Sequence, residues 1–174
     1  GEDNSGYGKI IATRGTSRWQ ASEGPEVIYR DGYYYLFLAY GSLSVEYNTR
    51  VCRSKNIDGP YVDIHGNSAM GSAQLYPILT APYRFDNSYG WVGISHCGIF
   101  DDGAGNWFYT SQGRFPVNVG GNEYSNAIMM GHVRSIRWDA NGWPLVMPER
   151  YGAVPQAPIT ENEIAGDWEH LALT

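Results

Sequence analysis

Lysine is almost missing from this sequence. Lys9 and Lys55 are the only lysines among 12 basic residues, the arginines are scattered, and 18 acidic residues bring the net charge to −6 and the isoelectric point to about 5.1. A protein that follows a phosphate backbone needs a basic stripe, so no nucleic acid is expected as a partner. Cysteine is scarce as well. Cys52 and Cys97 are the only two, and a chain of 174 residues does not need a disulfide to fold, so both are expected as buried thiols. The longest apolar run, Tyr33 to Tyr40, ends at Gly41 and falls far short of the ~20 residues of a membrane helix, so no membrane partner is expected either. Nucleophile elbow (GxSxG), P-loop and dinucleotide fingerprint (GxGxxG) are all absent, which leaves carboxylate chemistry.

What is abundant is aromatic, with 14 Tyr, 6 Trp and 5 Phe. An aromatic, acidic, lysine-poor β-protein fits a carbohydrate-active domain, because aromatic faces stack on sugar rings. Trp19, Trp91, Tyr89 and Trp107 are candidate platforms, with Trp107 placed in the core by its position in a hairpin. At 19.4 kDa, 43% apolar and 17% charged, the composition is globular.

A helical period is hard to find, whereas short β-branched or aromatic runs bounded by Gly, Asn and Asp recur, so the chain reads as all-β. The segment VIYRDGYYYLFLAY, Val27 to Tyr40, has Asp31-Gly32 at its centre and predicts a tight hairpin. Ile99 to Ser111 repeats the design around a longer Gly-rich turn, and Val133 to Val146 repeats it around Asn141-Gly142. An aromatic closes each hairpin (Tyr34, Trp107, Trp143), which suits similar sheets stacked face to face, as in a β-propeller. Blades of roughly 40 to 45 residues would give this chain about three. Asp63 to Gly90 and Gly113 to Asn126 read as long loops, the first with at most one strand near Leu75.

Two residues stand out chemically. Glu23 precedes Gly24-Pro25 at the entry to the first hairpin. Pro25 is expected to hold Gly24 extended and Glu23 at a strand start, as suits a general acid, while a surface carboxylate before a turn is the alternative. Glu26 is expected to face solvent. His96 sits among small apolar residues, either as a satisfied core histidine or as a channel-lining residue that binds a metal directly or through water. Zinc is disfavoured because His65, His132 and His170 show no ligand spacing with it, whereas a hard cation with mostly water ligands is compatible. Asp101 to Asn106 lacks the spacing of a calcium loop and reads as turn chemistry.

Three ordered stretches carry a resemblance: SEGPEVIYRDGYYYLFLAYGSLSVEYNTRVCRSKNIDGPYVD, WVGISHCGIFDDGAGNWFYTSQGR and VRSIRWDANGWPLVMPERYG. From about Gly15 to about Val154 the chain resembles the second half of glycoside hydrolase family 43, and most of all its endo-arabinanases. The resemblance implies a five-bladed β-propeller that hydrolyses arabinan or arabino-oligosaccharides by inversion, using a Glu as general acid, one Asp as base and another Asp that orients the acid. On that pattern Glu23 matches the acid, and His96, in Ser95-His96-Cys97-Gly98, matches a histidine beside a water-coordinated calcium ion. Arg53-Ser54-Lys55 through Gly59-Pro60-Tyr61 matches a blade edge. Trp91 and Trp19 are the expected substrate platforms.

The same resemblance divides the chain into residues 1–160, the C-terminal part of the propeller, and 161–174, the start of a C-terminal β-domain or linker around Gly166-Asp167-Trp168-Glu169. Both Asp motifs belong upstream of Gly15. Asp86, Asp101 and Glu46 are poor substitutes for the base, so the chain alone is expected to be inactive and to need the N-terminal half of the same enzyme, as one polypeptide or as a separate chain. Gly1 to Gly6 show no initiator Met and no signal-peptide pattern, and processing or fragmentation is the expected origin of this start. A polysaccharide substrate implies a secreted enzyme. Exo-acting arabinofuranosidase or xylosidase action on the same fold, and a non-catalytic carbohydrate-binding β-domain, are the alternatives.

Overall fold

The computed structural model describes residues 6, 8–14, 22–43, 46–71, 74–82, 84–85, 88–89, 91–114, 129–153 and 160–167. Its first four-stranded antiparallel sheet runs β1 (Glu23–Arg30), β2 (Tyr33–Tyr40), β3 (Asn48–Ser54) and β4 (Ile78–Thr80) from edge to edge. A two-stranded hairpin follows, β5 (Arg84–Phe85) and β6 (Ser88–Tyr89). The second four-stranded sheet is laid out in the order β10 (Pro144–Val146), β9 (Met129–Trp138), β8 (Trp107–Arg114), β7 (Val92–Asp101). One helical turn, α1 (Glu161–Ile164), is the sole helix among the described residues.

The three predicted hairpins are present. Asp31 and Gly32 both have positive φ, 49° and 84°, as a two-residue turn between right-twisted strands requires. At the second, Asp102 Oδ1 accepts the N–H groups of Ala104 and Asn106 while Asp101 Oδ1 accepts that of Gly103, so these carboxylates close a turn. At the third, Asp139 Oδ1 accepts from Asn141 and Trp143. The stretch from Asp63 to Gly90 differs from its reading as loop with at most one strand near Leu75. It contains β4, β5 and β6, each too short to impose a pattern, while Leu75 is core. Of the second predicted loop, Gly113 and Arg114 instead end β8, and residues 115–126 lie outside the described residues.

The continuous apolar run of β2 follows from its position between two cores. Tyr35 and Phe37 face the second sheet, packing with Val51, Ile94, Tyr109 and Trp143. Leu36, Leu38 and Tyr40 face the opposite way, against Tyr61, Ala69 and Leu75. Cys52 belongs to this outer core and Cys97 to the inner one, and both are free thiols, as expected. At the hairpin tips the sheets are pinned by Tyr35 Oη donating to the Gly142 carbonyl at 2.5 Å and Arg53 Nη1 to that of Asn141 at 2.7 Å. Trp107 packs against the inner core, as its hairpin position predicts.

A buried polar network stitches the sheets together midway. Thr49 Oγ1 lies 2.9 Å from Ser95 Oγ and 2.7 Å from Tyr109 Oη, and Ser95 Oγ donates to the Asn48 carbonyl. Thr80 Oγ1 donates to the Ile94 carbonyl at 2.6 Å. Each member is satisfied, so the network fixes how β3 and β4 sit against β7 without leaving a buried polar group unpaired.

Candidate active site

Strand pairing explains how Glu23 reaches the second sheet. Glu26 pairs with Phe37, but Glu23 pairs with Ala39, so a bulge at Gly24-Pro25 inserts one extra residue. Directly opposed residues share a face, so the bulge puts Glu23 on the side of Phe37 and Ala39, toward β7. An unbroken register would have turned it to the other face. Gly24 is therefore not extended as its place before Pro25 predicts. Its φ is +56°, in the left-handed region, and its missing Cβ is what lets the chain pass the His96 ring. Glu26 is half-buried rather than facing solvent, close enough for its charge to push up the Cys97 thiol.

His96 stands on a second irregularity. The pairing of β7 with β8 shifts between Val92 and Ser95 and again between Ser95 and Gly98. His96 lies in the second shift with φ +58°, strained for a residue with a side chain. The distortion turns its ring out of the apolar strand: its neighbours Ser95 and Cys97 are buried while it is exposed, so it is not a core histidine.

Tyr47 joins the two. Its hydroxyl donates to Glu23 Oε1 at 2.7 Å and lies 3.1 Å from His96 Nδ1. It precedes β3 on the face that carries Thr49 and Val51, and it is buried. Burial, then the hydrogen bond and charge of Glu23, hold its phenol well above the usual tyrosine range, so it keeps its proton. Nothing in its local sequence marks it among 14 tyrosines. The only usable signal is that a buried phenol needs a partner, and burial is not visible in one sequence.

The other expected residues have surroundings of their own or lie outside the described residues. Trp91, just before β7, is half-buried, with Arg150 over its ring and the His132 ring 4.3 Å away edge-on. Trp19 and Asp86 lie outside the described residues, as do the side chain of Tyr89 and the residues Trp168 and Glu169. Asp101 is occupied in its turn, and Glu46 is exposed. Among the described residues no group of three His, Cys, Asp or Glu could hold a metal. A cavity of about 300 Å³ lies at the opposite end of β1, between Arg30, Tyr33, Arg53 and Asn141.

Stacked four-stranded sheets with a carboxylate and a histidine delivered by strand bulges are the architecture of a β-propeller built around a polar site. Residues 3–144 match Glycosyl hydrolases family 43, and the chain belongs to that family. It is 31% identical to extracellular endo-α-(1→5)-L-arabinanase 2 of Bacillus subtilis over 94% of its own length and 38% of that protein's. It is also 31% identical to the extracellular endo-α-(1→5)-L-arabinanase of Thermotoga petrophila, over 95% of this chain and 37% of the other. The solved endo-1,5-α-L-arabinanase of Thermotoga petrophila in complex with TRIS superposes with a TM-score of 0.77 at 29% identity, covering 94% of this chain and 38% of that one. The fold is accordingly that of a five-bladed β-propeller, of which this chain is a part. It spans less than two fifths of the length of these relatives.

Proposed function

We propose that the chain is the acid-bearing part of a secreted, inverting endo-α-1,5-L-arabinanase, and that Glu23 donates the proton to the leaving glycosidic oxygen. The observation that carries this reading is the re-aiming of Glu23 by the Gly24-Pro25 bulge to meet Tyr47 and His96. Glu23 is itself exposed and so open to a substrate, while the bulge fixes which way its carboxyl points. The arabinan-cleaving names of the relatives supply the substrate class, and their extracellular designation supports secretion. Inversion requires a second carboxylate roughly 6.5 to 9.5 Å away to activate water. That base is assigned to the portion of the enzyme beyond this chain.

The outer face of the second sheet supports a missing neighbour. Phe100, Met129 and Val133 are exposed on one side of it by the strand register, with Phe100 stacked on Phe108 and Phe108 edge-on to Tyr151. The next blade would cover this layer.

A calcium ion prefers six to eight oxygen ligands. The donor set fits such an ion only if it keeps most of its water shell, with His96 offering Nε2 because Tyr47 takes up Nδ1. When bound, the ion would add positive charge near Glu23. Trp91 and Trp19 are the proposed sugar platforms.

The test is hydrolysis of linear arabinan by this chain alone, by the complete enzyme and by the complete enzyme carrying Glu23→Gln. No turnover is expected from the first, mixed oligosaccharides from the second, and a loss of about 100-fold or more in kcat from the third. Activity of the isolated chain would overturn the split site, full activity of Glu23→Gln would remove Glu23 from the role, and arabinose as sole product would assign exo action. Polysaccharide binding by this chain alone, indifferent to Glu23→Gln, would favour a non-catalytic binding domain.

A further inference from the structure

A phenol has one proton to give and, in the cleft between β1 and β7, Tyr47 has two neighbours to serve. Its oxygen is 2.7 Å from Glu23 Oε1 and 3.1 Å from His96 Nδ1, and the residue is 1% exposed, so these two groups are the partners the phenol must satisfy. If the proton goes to Glu23, the oxygen can only accept from the imidazole, and His96 must then carry its own proton on Nδ1. Proton inventory thus links three side chains from two sheets.

We propose that Tyr47 is a positioning residue that occupies Oε1 of Glu23, reserves Oε2 for the transferable proton, and holds the neutral His96 in the tautomer whose Nε2 is unprotonated. This rests on the reading of Glu23 as the acid. In the reaction the Oε2 proton passes to the glycosidic oxygen as the anomeric C–O bond breaks and its electron pair goes to that oxygen. Glu23 is left as a carboxylate. The negative charge that grows on it meets a donor already aimed at Oε1, a contact that strengthens as the proton leaves and needs no reorganisation. Tyr47 keeps its proton throughout, in accord with a phenol that burial makes hard to ionise. His96, held from behind at Nδ1, presents a lone pair rather than an N–H at Nε2.

Two measurements on the complete enzyme decide it. Long-range proton–nitrogen NMR of His96 without substrate is expected to show the Nδ1–H tautomer in the wild type and a shift toward Nε2–H, the form an unconstrained histidine side chain favours, in Tyr47→Phe. The Nε2–H tautomer in the wild type would overturn the proposal without any variant having to fold. In kinetics, Tyr47→Phe is expected to lower kcat on linear arabinan about 10- to 100-fold with KM nearly unchanged. On a nitrophenyl α-L-arabinoside, whose leaving group needs no proton, the loss should stay within about threefold. Equal losses on both substrates would reduce Tyr47 to a packing role. Glu23→Gln is the control on the underlying reading. If it retains arabinan hydrolysis, the acid assignment fails, while an inactive Glu23→Gln beside an unaffected Tyr47→Phe sinks the Tyr47 proposal alone.

Discussion

The backbone of Gly24 lies flat against the imidazole of His96: a Cβ built there would stand 3.1 Å from Cγ and 3.2 Å from Cδ2. Two strand irregularities on different sheets meet at this point, each needed for the other to fit. Gly24→Ala in the complete enzyme is expected to cost roughly 1 to 2 kcal/mol of stability through its positive φ and to displace the His96 ring. Because Glu23 is the adjacent residue, kcat on arabinan should fall about tenfold or more. Urea unfolding and steady-state kinetics check both parts, and an unchanged kcat would show that the contact does not hold Glu23 in place.

His132 gives a pH dependence. Burial first, then the positive charges of Arg134 and Arg150, push its pKa down from the usual 6.5 to about 4. Between these values the unfolded chain takes up a proton that the folded chain refuses, so stability falls as pH drops through that window and is unaffected above it. The urea midpoint measured from pH 7 to 4 should decline more steeply in the wild type than in His132→Gln. Parallel curves would assign the acid sensitivity to other groups.

Arg114 is fully buried at the end of β8, and among the described residues none of its three guanidinium nitrogens has a hydrogen-bond partner. Burial accordingly lowers its pKa. By its pairing with Met129 it faces the same side as Phe108 and Val133, where the next blade is proposed to pack. Arg114→Met should stabilise the isolated chain by about 1 to 3 kcal/mol in urea unfolding, because an unpaired buried cation is replaced by an apolar side chain. A destabilised variant would mean that the guanidinium holds a contact the chain needs.

Legibility in the sequence followed the strength of local chemistry. Asp31-Gly32 and Asn141-Gly142 announce their hairpins because only a few residue types tolerate those turns, and the strands beside them are long. The strands β4, β5 and β6 carry two or three residues each and take their identity from what they pair with, which one sequence does not display. Glu23 and His96 were recognisable as candidates by type and surroundings. The bulges that bring them together were not, and the rule that a residue before proline is extended pointed the wrong way at Gly24, since glycine escapes the Cβ clash behind that rule. Tyr47 left no trace at all because its contacts are a matter of distance.

The two cysteines are internal clocks for the order in which the structure comes apart. Cys97 sits in the seam between the sheets and Cys52 beneath the outer layer of the first, and each thiol is pushed up to about 12, by burial first and then by the charge of Glu26 or Asp63 respectively. Neither reacts as a thiolate until its own layer opens. Separate alkylation rates at the two positions would therefore time the parting of the blades against the melting of a single blade, in the native chain and with no label introduced.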